Sequence, residues 1–509
     1  MASSTSLMSR TDPTMTAADQ PPDRLSSSPH GPLDDRAARP QRLWLALTVL
    51  CLGALMIVLD TTIVNVALPS IRSSLGFSET SLAWVINAYM LTYGGFLLLG
   101  GRLGDLFGQR RMFVAGIALF SLASLACGLA GTQWFLVGAR AVQGLGGAVV
   151  SAVSLSLIMN LFPTPAARAK AMGVYGFVAA GGGSIGVLLG GVLTDLLNWH
   201  AIFLVNVPIG ALVLGLSLRL VPAPARRGRR QRVDVAGAST ITVALVLAVY
   251  AIVNGDTAGW TSPQTLGLIG AAVTLLAAFG IIEARVPAPL MPLALLRHRN
   301  LTTANIVGVL WSAAMFAWFF LCALYLQLVL GYRPLQVGLA FLPGNVITAL
   351  LSLGISGRLA LRYGTRRPLA VGLGLAGAGL VLLARAPVDG HYLTDVLPSM
   401  LLLGVGAGLA LTPVLLAATS DVDPSDAGLA SGVTNTALMM GGALGLASLA
   451  SVAASRTAHL GATGGSPVAA LTGGYHTAFL VGGAFAVVAA AIGAAFIRTR
   501  STAAQPVKR

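Results

Sequence analysis

The chain has 509 residues, 55% of them hydrophobic and only 10% charged, and its mean hydropathy is +0.81. No soluble domain of that length buries so much apolar surface and still presents a charged exterior. The net charge of +15 invites a nucleic-acid partner, but the bases fall mostly on alternate loops and at the two termini. That is the positive-inside pattern of a membrane protein, so no nucleic acid is expected. Repeated apolar runs of about 20 residues, each long enough to cross a bilayer, define an all-α polytopic membrane protein. The charge pattern puts both termini in the cytoplasm and makes the number of spans even.

Residues 1–42 are rich in Ser, Pro, Asp and Arg and read as a disordered cytoplasmic tail, not a cleaved signal peptide. Residues 43–220 hold six spans, expected near 43–68, 82–100, 112–131, 134–158, 172–194 and 201–219. Residues 221–300 open on Arg226–Arg232, RRGRRQR, read as a solvated inner loop that fixes topology, with binding to anionic lipid head groups as the alternative. They then carry two further spans near 236–254 and 265–284. Residues 301–497 hold the second set, near 303–330, 337–356, 368–386, 395–418, 428–454 and 475–497, and residues 498–509 form a basic cytoplasmic tail. The total is fourteen.

The connection after the second span, Gly101–Phe113, reads GRLGDLFGQRRMF. Gly104 and Gly108 suit a tight turn, and Arg102, Arg110 and Arg111 mark the loop as cytoplasmic. Asp105 is expected to pair with those arginines or with a helix N-terminus. The stretch recurs at Gly357–Arg367 as GRLALRYGTRR, with Leu361 in place of the acid. A hairpin repeated at the same place in each six-span set indicates a duplicated fold. It predicts two six-helix bundles, two inserted helices, and a cavity between the bundles near mid-membrane.

Charge inside a bilayer is costly and marks function. Asp60 lies in LDTTIVNVALP (59–69) and Arg140 in GARAVQGLGGA (138–148). Counting from the outer ends of their spans places both roughly 10–15 Å below the outer face. Whether they touch is left open, and a static ion pair joining two helices is the alternative to a proton-handling role. Gly182, Gly186 and Gly190 recur every four residues in 173–191, a stripe for close helix packing. Candidate pocket groups are Asn65, Asn87, Tyr89, Gln143, Asn305, Gln327 and Asn345, with aromatic surface from Trp311, Phe316, Trp318, Phe319 and Phe320. Asn435 suits either substrate contact or a bridge between helices. Cys51, Cys127 and Cys322 read as small buried residues, and the six histidines show no metal spacing. With no GxxxxGK[ST] loop either, the chain is expected to use no metal and no nucleotide and not to be an enzyme.

Taken together, GRLGDLFGQRR, RAVQGLGGA (140–148), the glycine pattern of 173–191 and NWHAIFLVNVPIG (198–210) resemble the major facilitator superfamily. LDTTIVNVALP and the fourteen spans narrow the resemblance to its fourteen-helix drug:proton antiporter family of multidrug resistance exporters. The likeness runs from Leu43 to Arg500. It implies export of small lipophilic or cationic compounds (drugs, antibiotics or secondary metabolites), driven by the proton gradient with no other cofactor. It associates Asp60 and Arg140 with proton coupling. It makes Gly101, Arg102, Gly104, Asp105, Gly108, Arg110 and Arg111 a conformational lock, and the glycine helix, with Gly182, Gly186, Gly190 and Gly191, an antiport element.

The chain departs from the family at four places. Val187 follows Gly186 where proline is usual, and His200 stands where arginine is common. NTALMMGG (435–442) lacks the arginine and glutamine of the usual pattern at Leu438 and Met439, and Leu361 replaces the second acid. The changed second half points to a different substrate set. A narrow exporter of one endogenous metabolite, a nutrient facilitator on the same fold and a transport-inactive receptor are the competing readings. Two lysines against many Ala, Gly, Leu and Arg resemble coding from a high-GC bacterium, which places the protein in a bacterial plasma (inner) membrane, functioning as a monomer.

Overall fold

The computed structural model describes residues 34–498, apart from 163, 223–233, 287–288 and 424–425. The basic run Arg226–Arg232, residues 1–33 and the end of the C-terminal tail lie outside the described residues. Fourteen helices are long and apolar enough to cross a membrane. They are α1 (Asp34–Leu75), α2 (Trp84–Phe107), α3 (Gln109–Gly128), α4 (Gln133–Leu161), α5 (Pro165–Leu196), α6 (Asn206–Leu220) and α7 (Val235–Ala258). The others are α8 (Pro263–Arg285), α9 (Arg299–Leu324), α10 (Pro334–Leu350), α11 (Arg366–Leu383), α12 (Leu397–Thr419), α13 (Ala427–Ala462) and α14 (Pro467–Phe496). No strand occurs among the described residues.

Several helices outrun the spans expected from hydropathy, because capping and not apolarity ends them. α14 starts at Pro467, eight residues before the expected span, where Ser466 Oγ accepts a hydrogen bond from Ala469 N at 3.2 Å. Proline at the first helical position and serine at the N-cap form a stop signal independent of the bilayer. α8 begins the same way at Ser262–Pro263. α1 is helical from Asp34, so residues 34–42, expected as disordered tail, belong to a helix. α9 and α10 run on through single π turns at Tyr325–Val329 and Leu351–Ile355, and a short helix, Ser356–Tyr363, carries α10 to its hairpin.

The duplicated hairpins share one backbone device. Gly108 has φ 96° and Gly364, at the matching position, φ 77°, a region that non-glycine residues occupy only at a cost. Gly104 does not form the turn as expected. It stays helical, and a Cβ on it would lie 2.9 Å from Val153 Cγ2 of α4, so its role is close packing.

Residues 43–509 make one compact unit. Within it the six helices at each end of the sequence pack mainly among themselves, and the two sets meet along two seams, α2 against α13 and α5 against α10. The inserted α7 and α8 pack on each other, and α7 lies on both α2 and α13. Thr242 of α7 fills the space left by Gly95 of α2, and Trp84 meets Tyr250 with centroids 6.4 Å apart. The inserted pair therefore covers one seam. Its end nearest the hairpins is fastened by two buried acids: Asp234 Oδ1 caps α7 at Gly237 N (2.7 Å), and Glu283 Oε2 accepts from Met291 N (3.1 Å).

Candidate functional site

The motif GARAVQGLGGA builds a polar site by combining two long polar side chains with three missing ones. Arg140 and Gln143 lie three residues apart on one face of α4. Gly144 and Gly147 follow on the same face, and Gly146 lies toward α3. A Cβ on Gly144 would be 2.4 Å from Tyr89 O of α2, and one on Gly146 would be 2.7 Å from Phe120 N of α3. The glycines thus bring the α2 and α3 backbones against α4. Thr92 Oγ1 then crosses to Ala141 O at 2.8 Å, and Arg140 is enclosed, 1% exposed.

Asp60 on α1 enters this space with no measurable exposure, and Arg140 is 1% exposed. The sequence left their contact open; the structure brings them together. Arg140 Nη1 donates to Asp60 Oδ2 at 2.5 Å and to Gln143 Oε1 at 2.7 Å, and its Nε donates to Val85 O of α2 at 2.9 Å. The guanidinium also lies over the Tyr89 ring, 4.4 Å from its centroid, a cation–π contact strengthened by burial. Asp60 Oδ1 accepts from Gln143 Nε2 at 2.7 Å and from Asn206 Nδ2 of α6 at 3.0 Å. Ser124 Oγ of α3 accepts from both amides at 3.0 Å and donates to Phe203 O at 2.9 Å.

Four helices therefore surround one carboxylate with three protein donors. Desolvating an ion pair costs several kcal/mol per ion unless such additional hydrogen bonds satisfy it. Asn206 and Ser124 were not among the expected site residues. Asn206 lies in NWHAIFLVNVPIG, and a polar residue inside an apolar span was the available signal.

The other expected residues separate into distinct roles. Gln143 belongs to the charge network and Tyr89 forms its wall, so neither is an open pocket group. Asn65 bonds back to its own helix, at Thr61 O (3.4 Å) and Thr62 O (3.3 Å). Gln327 reaches from the π turn of the second bundle to Val66 O of α1 at 2.9 Å, bridging the bundles. Asn87 is fully buried, with no hydrogen bond to either amide atom. Trp311 is buried, and Asn345 and Asn435 are half-buried.

The glycine stripe of α5 faces α1. A Cβ on Gly182, Gly186 or Gly190 would meet Val58, Leu59 O or Ile63 O within about 3 Å, and one on Gly191 would lie 2.7 Å from Pro334 O of α10. Gly338 of α10 approaches Val187 O in return. Valine at 187 keeps the backbone N–H that a proline would remove from the helix. At this end of the seam, far from the hairpins, Arg333 Nε and Nη2 grip Asp195 Oδ1 and Oδ2 at 3.2 and 3.0 Å. At the hairpin end, Gly173, Gly176, Gly354 and Gly357 have no neighbour within 4 Å of a Cβ placed on them. The Asp195–Arg333 ion pair thus fastens this seam at the far face, while α5 also touches the π turn Leu351–Ile355 on the hairpin side.

Asp105 was expected to pair with an arginine or a helix N-terminus. It is exposed at the last turn of α2 and makes no ion pair among the described residues. Arg110 Nη2 donates instead to Leu218 O at the end of α6. Leu438 and Met439, which replace the arginine and glutamine, give apolar contact: Leu438 fills the space at Gly308 of α9 and Met439 that at Gly94 of α2.

A two-bundle membrane fold with a buried ion pair inside one bundle is the architecture of a membrane transporter. Residues 50–446 match the Major Facilitator Superfamily, and the chain belongs to it. It is 42% identical over 449 residues to a puromycin resistance protein of Streptomyces alboniger, covering 88% of this chain and 89% of that one. It is 38% identical over 438 residues to a cephamycin export protein of Amycolatopsis lactamdurans, covering 86% and 88%. Among solved structures, it resembles a bacterial homologue of the human lysosomal transporter Spinster in an inward-facing, unoccupied conformation, with TM-score 0.63 and 17% identity over 89% of this chain and 96% of that one. That likeness shows the fold alone.

Proposed function

We propose that this transporter exports a small lipophilic or cationic compound, an antibiotic or related secondary metabolite, in exchange for protons and by alternating access. The buried Asp60–Arg140 network is the observation that carries the reading. Charge inside a membrane span is costly and marks function, and here a buried carboxylate is held by a guanidinium and two amides. The names of the relatives, puromycin resistance and cephamycin export, support the substrate class.

The seam geometry supports alternating access. The Asp195–Arg333 contact closes the far end of the α5–α10 seam, while glycines at its hairpin end have no close neighbours. We read this as a state looser toward the hairpins, and the hairpin arginines support a cytoplasmic position for that face and for both termini. The protein works as a monomer in the plasma membrane, each chain carrying a complete pair of bundles. A second reading, a narrow exporter of one endogenous metabolite, draws on Leu438 and Met439, which set apolar side chains against α9 and α2 where the usual pattern has arginine and glutamine.

The test is ethidium efflux from energised cells, with and without a protonophore, for wild type and Asp60→Asn. Protonophore-sensitive efflux that falls to the de-energised baseline in Asp60→Asn is the expected result. Active efflux retained by Asp60→Asn would sink the coupling role. If wild type moves puromycin but not ethidium, the narrow reading holds.

A further inference from the structure

Within the network around Asp60, nearly every oxygen is in use. Both carboxylate oxygens accept hydrogen bonds. Gln143 Oε1 accepts from Arg140 and, at 3.6 Å, from the Cys127 thiol. Ser124 Oγ accepts twice and donates once. Two oxygens are exceptions: the Tyr89 hydroxyl at the network's wall, and Asn206 Oδ1, on a side chain that is 1% exposed and bonded to Asp60 itself.

This pattern of donors suits an ionised Asp60, since a carboxylate only accepts. A protonated Asp60 carries an O–H that must itself donate, and in the arrangement seen neither group bonded to Oδ1 can receive it. Gln143 and Asn206 both present NH2 groups there. An asparagine amide is a donor at one end and an acceptor at the other, and half a turn about its terminal bond exchanges the two.

Resting on the proton-exchange reading above, we propose that Asn206 is a positioning residue that lets Asp60 hold a proton: its amide donates to the ionised carboxylate and turns over on protonation, presenting Oδ1 to the carboxyl hydrogen. Ser124 completes the exchange. Once Nδ2 turns away, the serine hydrogen swings from Phe203 O to Asn206 Oδ1, so Oδ1 then accepts twice. Arg140 keeps Val85 O, Gln143 Oε1 and the Tyr89 ring when Asp60 is neutral, so its charge stays held in both states. The titratable groups facing Asp60 are Arg140 on α4, Tyr89 on α2 and Cys127 on α3. α5 meets α1 there with glycines, and α6 brings only the Asn206 amide. The proton comes from one aqueous phase and leaves to the other, and no covalent bond is exchanged within the protein.

The decisive measurement is a pH-difference infrared spectrum of the full chain in lipid bilayers, with asparagine carrying a carbon-13 side-chain label. A carboxyl band absent from Asp60→Asn, accompanied by a labelled amide band that disappears in both Asp60→Asn and Asn206→Leu, is the expected result. The wild-type spectrum alone tests the idea should Asn206→Leu fold poorly. In transport, Asn206→Leu is expected to cut proton-driven efflux roughly 10-fold or more, as for a lost hydrogen bond to a charged group, and to flatten its dependence on pH. A residue that only packs would lower efflux equally at every pH. A carboxyl band with no amide band, or an unchanged pH profile in Asn206→Leu, overturns the proposal while leaving proton exchange intact. Protonophore-insensitive wild-type efflux with no Asp60 carboxyl band overturns proton exchange itself, and the role of Asn206 with it.

Discussion

The two six-helix bundles turn their hairpins on matching glycines, Gly108 and Gly364, both at positive φ, yet their interiors differ in kind. The first bundle buries Asp60 and Arg140 amid Gln143, Asn206 and Ser124. In the second, the buried polar residues described are serines, threonines and Asn300, with no charged side chain among them. Trp318, Phe319 and Phe341 pack there instead, with centroids 4.4 to 5.5 Å apart. The duplication kept the backbone twice and the charge once. The half that handles charge and the half that offers apolar surface are therefore different parts of one molecule.

The sharpest way to break that contrast is to unbalance the charged half. Arg140→Leu leaves the Asp60 carboxylate buried and unpaired, and is expected to cost about 3–5 kcal/mol of stability. Thermal unfolding in detergent should show a large fall in Tm, partly recovered by adding Asp60→Asn. A Tm within error of wild type would mean that the pair is not desolvated.

The shared feature predicts a symmetric result. Gly108→Ala and Gly364→Ala each place a side chain at positive φ and are expected to cost about 1–3 kcal/mol apiece. Unequal losses would show that the two hairpins are not equivalent. The smallest expected effect separates the hairpins by charge. Asp105→Ala should slow turnover roughly 2- to 5-fold, the size of one charge at a helix end, with substrate affinity kept. Leu361→Ala, at the matching place, should leave turnover alone. A fall in affinity with unchanged turnover in Asp105→Ala would remove the lock.

Much of this architecture was legible in the sequence, and for identifiable reasons. Fourteen apolar runs, the repeated hairpin and the isolated charges at 60 and 140 each carry a signal that burial in lipid enforces. What was not legible depended on neighbours distant in sequence. The contact of Asp60 with Arg140 spans 80 residues and that with Asn206 spans 146, and no local pattern encodes either. Gln143 and Tyr89 looked like pocket groups because polarity alone does not tell a cavity from a network. Gly104 looked like a turn residue because sequence does not show whether a glycine supplies a backbone angle or makes room, here for Val153. Helix ends were misjudged where Ser466 and Pro467, not the bilayer, set them.

The placement of α7 and α8 has a consequence for the membrane itself. Two seams run between the bundles, and the inserted pair lies over the one between α2 and α13. Of the two seams described, the one between α5 and α10 is the one that the inserted pair leaves uncovered, and acyl chains are expected to meet the bundle interface there. For a molecule dissolved in the bilayer, this protein has a side door, framed by the glycines of α5 on one jamb and the π turn of α10 on the other.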